Sequence, residues 1–109
     1  MNWTILFLEE AKEDLRQLDH SLQIQVLKGI QKVAKNPLPA SDGGYGKPLG
    51  HRGGVNLTNL LKIKFRNIGI RVVYKAECTE QIMRIIIISA RSDEQVYKLA
   101  SIRRQNNHL

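Results

Sequence analysis

The sequence predicts an α+β domain: a small antiparallel-type β-sheet with two N-terminal helices packed on one face and a C-terminal helix, in the order β-α-α-β-β-β-α. Three observations predict it. Two helical apolar stripes occupy residues 8–34, the segment "LKIKFRNIGIRVVYK" (61–75) alternates like a hairpin, and "IMRIIIISAR" (82–91) is β-branched and apolar before a helix-capping sequence. A chain of 109 residues can build one core but not two, so residues 1–109 are read as a single domain.

Each element has its own signature. Trp3, Ile5 and Phe7 alternate with Thr4 and Leu6, which predicts a short first strand. Leu8, Ala11, Leu15 and Leu18 then follow helical spacing, with Glu9, Glu10, Glu13 and Asp14 assigned to water. Asp19 or Ser21 can cap a second helix, whose stripe is Leu22, Val26, Leu27, Ile30, Val33 and Ala34. Pro37 ends it, because the residue before a proline is pushed out of helical geometry. Residues 37–55, "PLPASDGGYGKPLGHRGGV", read as a long glycine- and proline-rich loop. Its "GGYGKP" is no nucleotide loop: Pro48 stands where a Ser or Thr would hold magnesium, and Ser41 replaces the leading glycine.

The hairpin fixes its own register. With Lys64 opposite Arg71, Phe65 faces Ile70 and Ile63 faces Val72, so the apolar pairs share one side and Lys62, Lys64 and Arg71 the other. A slip of one residue would mix the two faces. A tight turn is placed around Asn67, Ile68 and Gly69. The run at 82–91 reads as a strand buried on both faces. Ser92 with Gln95 forms a capping box that opens the last helix, and residues 105–109 are expected to fray.

Charge narrows the function. Lysine and arginine number 17 against 10 acids, for a formal net charge of +7, which points to an anionic partner. Between Asp42 and Glu77 there is no acid, while Lys47, Arg52, Lys62, Lys64, Arg66, Arg71 and Lys75 all fall there. The single cysteine, Cys78, suits a reducing cytosol, and "MNWTILFLEE" lacks a cationic leader region, so a cytoplasmic protein is expected. His20, His51, His108 and Cys78 show no metal-ligand spacing, and neither metal nor other cofactor is expected. What remains is a site of Lys, Arg and Tyr. Arg91 closes a strand at the mouth of a helix, and Tyr97 lies on the first turns of that helix. Each has an ordinary structural explanation, Arg91 as a partner of Asp93 or Glu94 and Tyr97 as cover for the sheet edge. As a set with the hairpin cations they read as an anion site without acids.

The order of elements, the "LKIKFRNIGIRVVYK" hairpin and the "ISARSDEQVY" junction together resemble the RelE/ParE superfamily of bacterial toxins, closest to its RelE branch. The likeness covers residues 2–104 and departs from the shortest members in the long loop around Gly43 to Gly54. It implies a ribosome-dependent endoribonuclease, the toxin of a type II toxin–antitoxin system, that cuts mRNA and inhibits translation. A cognate antitoxin would neutralise it, and their complex would meet operator DNA through the antitoxin. Carried across, the catalytic lysines fall on Lys62 and Lys64, the phosphate-binding arginines on Arg71 and Arg91, and the catalytic tyrosine on Tyr97. Arg66, Lys75, Lys47 and Arg52 are read as further RNA contacts. The ParE branch, which poisons DNA gyrase and is no nuclease, is the alternative; it typically lacks the tyrosine and paired lysines. RNA supplies its own nucleophile, the 2′-OH, so such a site must deprotonate it and stabilise charge at phosphorus. Either Tyr97 or one of the lysines can be the base.

Overall fold

The computed structural model describes residues 2–52 and 55–109, with His51, Arg52 and Val55 described by backbone alone. Its elements are β1 (Thr4–Phe7), α1 (Glu9–Arg16), α2 (His20–Val33), a 3-10 turn (Ala40–Asp42), β2 (Lys47–Arg52), β3 (Val55–Phe65), β4 (Ile70–Glu77), β5 (Ile82–Ser89) and α3 (Asp93–Asn106). One sheet forms in the order β1-β5-β4-β3-β2. Strands β2 to β5 are an antiparallel meander, and β1 joins β5 in parallel, Thr4 beside Ile82 and Phe7 beside Ile85. Among the described residues no helix is long and apolar enough to cross a membrane.

The element order is the expected one with a strand added. Residues 47–52, read as loop, form β2 at the sheet edge, with a register shift between Pro48 and Gly50. Proline and glycine argue against an interior strand, but an edge strand needs only one side of its backbone for pairing. The rest of the loop is folded on itself. Tyr45 N–H donates to Asn36 O (2.9 Å) and Gly46 N–H to Leu38 O (2.9 Å). The fully buried Tyr74 donates its hydroxyl to Pro37 O at 2.7 Å, pinning the start of the loop to the sheet. Gly53 and Gly54 lie outside the described residues.

The hairpin adopts the register that separates its faces: Lys64 pairs with Arg71, Phe65 with Ile70 and Ile63 with Val72. Helices α1 and α2 cover the apolar face, where the Phe65 ring fits against Gly29 so closely that any side chain there would overlap it. Asp19 caps α2 by accepting from Leu22 N–H at 3.0 Å. Helix α3 lies on the opposite face, with Val96, Tyr97 and Ala100 buried. Ser92 caps it, accepting from Gln95 N–H.

Two sequence expectations are corrected here. Asp14, assigned to water, is only 18% exposed and pairs with Arg103 of α3 at 2.6 Å. The cause is topological. Strand β1 ends at Phe7, so the outer edge of β5 beyond Ile85 has no neighbouring strand. Asp14 accepts from Ile88 N–H (3.0 Å) and Arg103 donates to Ile86 O (3.1 Å), satisfying that edge with side chains. The tail is the other correction. Gln105 and Asn106 continue α3, and His108 turns with φ 57° so that Leu109 N–H reaches Arg104 O at 2.9 Å. That closure returns Leu109 to the edge of the core.

Candidate active site

The α3-facing side of the hairpin carries the candidate site. Alternation along β3 aims Lys62 and Lys64 at α3, and strand pairing puts Arg71 beside Lys64 and Lys47 beside Lys62. The capped first turns of α3 bring Asp93 and Tyr97 over them. Lys62 Nζ donates to the Tyr97 hydroxyl at 3.3 Å and lies 5.8 Å from the centre of that ring. Tyr97 is 5% exposed, so Lys62 is the more accessible member of the pair.

Beside this pair sits a residue that the sequence reading did not assign. Asp93 bridges Lys64 and Arg71: one carboxylate oxygen accepts from Lys64 Nζ at 3.2 Å, and the other accepts from Arg71 Nε. The face is therefore not free of acids, as the sequence suggested. Burial alone would raise the Asp93 pKa, but hydrogen bonds from Lys64 and Arg71 outweigh it and hold the carboxyl below its ordinary value. Arg71 also donates from Nη1 to Arg91 O at 2.9 Å. The Arg91 side chain is exposed at the rim and makes no ion pair with Asp93 or Glu94.

The structure thus brings Lys62, Lys64, Arg71 and Tyr97 together, with Lys47 next to Lys62 and Arg91 at the margin. Other predicted RNA contacts lie apart. Arg66 is exposed where the chain turns from β3 to β4. Lys75 lies at the far end of β4 and donates to Leu109 O at 2.9 Å, so it closes the end of α3. The side chain of Arg52 is outside the described residues. A signal for Asp93 did exist: the "RSD" stretch puts an acid on the first turn of the helix that must cross the cationic strands.

The chain is 30% identical over 104 residues to an Escherichia coli protein described as a RelE-like toxin, covering 94% of this chain and 98% of that one. No protein-family model matches it. Among solved structures, a free mutant of the E. coli toxin RelE aligns with a TM-score of 0.71 at 21% identity, over 95% of this chain and 98% of that one. The toxin chain of the Mycobacterium tuberculosis toxin–antitoxin complex RelBE2 aligns with a TM-score of 0.66 at 21% identity, over 84% of this chain and 100% of the other. Both share the fold described above. With a relative of this identity matched along nearly its whole length, the chain belongs to the family of RelE-like toxins.

Proposed function

We propose that this toxin is a ribosome-dependent endoribonuclease that cleaves mRNA through attack of the 2′-OH on the adjacent phosphate, and that a cognate antitoxin neutralises it. The observation that carries the reading is the Lys62–Tyr97 hydrogen bond beside the Lys64–Arg71 cation pair. Proton transfer and charge stabilisation are the two tasks of RNA cleavage, and these neighbouring pairs suit one each.

Lys62 is the more accessible member of the pair, so its neutral amine takes the proton of the 2′-OH. The ammonium so formed returns that proton to the departing 5′-oxygen, while the Tyr97 hydroxyl holds the amine in place. Arg71 and Lys64 stabilise the phosphorane, Arg71 by the two-pronged geometry of a permanently charged guanidinium. Arg91, exposed at the rim, receives the flanking phosphate. Positioning of the message by the ribosome supplies the alignment that so open a site lacks. The RelE chains of E. coli and M. tuberculosis have been solved with RelB-type antitoxins, which supports an antitoxin partner here. The toxin–antitoxin complex would reach operator DNA through the antitoxin.

Cleavage of ribosome-bound message by purified toxin tests the reading. Lys62→Met should lower the rate by roughly 10²–10⁴. Tyr97→Phe, which keeps the ring in the core, should lower it by about tenfold to a hundredfold with stability nearly unchanged. A wild-type protein that leaves message intact but blocks gyrase supercoiling would move it to the ParE-type alternative.

A further inference from the structure

Asp93 has no task in that mechanism, yet it holds the best anion-binding position on the face. Its two oxygens take one donor from Lys64 and one from Arg71. Those are the donors an RNA phosphate would use, presented in the spacing that suits two oxygens of one tetrahedral or planar anion. Resting on the nuclease reading for its substrate, we propose that Asp93 is an internal counterion occupying the phosphate seat, and that RNA binds by displacing it.

Three features support this. Lys64 and Arg71 are directly opposite on paired strands, an arrangement of like charges that destabilises a sheet unless an anion lies between them. Arg71 is held a second time by Arg91 O, so it stays in place when the carboxylate leaves. The Asp93 side chain is 41% exposed, so an incoming anion can reach the donors from solvent while the carboxylate swings away by rotamer change alone. After displacement the carboxylate stands next to the phosphate and repels it. The free toxin therefore binds RNA weakly, and productive binding needs the extra contacts that a ribosome supplies.

A positioning role for Asp93 predicts that losing it weakens RNA binding; a counterion role predicts the reverse. Fluorescence anisotropy with a 2′-O-methyl oligoribonucleotide, which cannot be cleaved, separates them. Wild type, Asp93→Asn and Asp93→Ser would be compared at about 50 and 200 mM salt. Both variants should bind roughly tenfold tighter at the lower salt, with the salt slope steeper by about one. Serine accepts hydrogen bonds at the helix start, so one of the two variants should remain folded. In wild type, titration with inorganic phosphate should shift the NMR signals of Lys64 Nζ and Arg71 Nε. Unchanged or weaker binding by the variants, or no phosphate response, would overturn the proposal. The nuclease reading fails separately: a wild type that cuts no message on the ribosome sinks that reading, while the affinity gain of the variants would still establish the counterion.

Discussion

Tyr74 shows how one polar atom can organise a loop from inside a core. Its ring is fully buried in β4, and its hydroxyl has an acceptor only because Pro37 O lies 2.7 Å away. Burial pushes its pKa far above the ordinary value for tyrosine. The loop answers with a matching requirement. A Cβ at Gly46 would fall 2.5 Å from the Tyr74 hydroxyl and 2.9 Å from Pro37 O, so only glycine fits. Tyr74→Phe keeps the ring and strands a carbonyl, and should cost about 1–2 kcal/mol in urea unfolding. An unchanged midpoint would show that the loop is held elsewhere. This contact was invisible in the sequence, since Pro37 and Tyr74 are far apart in the chain. Asp93 was half legible: the sequence shows an acid at the start of α3, but not its reach to Lys64 and Arg71 on a hairpin already complete before α3 begins. The cations on that hairpin were legible because alternation alone assigns their face.

Among the elements, the short β1 has the widest effect. With four residues it covers only the first half of β5, and α1 and α3 must finish the edge through Asp14 and Arg103. Asp14→Ala would leave Ile88 N–H and a largely buried guanidinium without this partner. It should destabilise the fold by about 2–3 kcal/mol, or on the order of 10 °C in melting temperature. Calorimetry would check it, and a loss near zero would mean that water replaces the carboxylate at no cost. The hairpin register and the helix caps followed from local rules that acted without competition. Strand β2 did not, because its pairing with β3 overrides the proline and glycine that read as loop. The sharp closure of α3 was equally hidden: His108 takes a conformation that its sequence neighbours do not demand, and Leu109 supplies the apolar contact that rewards it.

At the scale of the whole molecule, three carboxyls give stability its acid limit. The Arg84 guanidinium lowers the Glu77 pKa, a backbone hydrogen bond and Asn107 lower that of Glu10, and the bonds from Lys64 and Arg71 outweigh burial at Asp93. Each value is lower in the folded state than in the unfolded one. Their stabilisation is therefore complete above the ordinary glutamate value of 4.5 and is lost as pH falls through the folded values. The urea midpoint should hold steady from about pH 7 to 5 and then fall below about pH 4. Glu77→Gln should flatten part of that acid slope, and a wild-type midpoint constant down to about pH 3 would contradict the assignment. The parallel pairing of β1 with β5 carries one more consequence, for the order in which the protein is made. A nascent chain has no partner for Thr4 until Ile82 has emerged, and no cover for the β5 edge until Arg103 has. Arg91 and Tyr97 also arrive late, after the lysines are already in place on β3. Long-range closure of this kind is slow relative to hairpin formation. A chain that has not yet released α3 therefore carries the hairpin lysines without the Tyr97 and Asp93 that complete the candidate site.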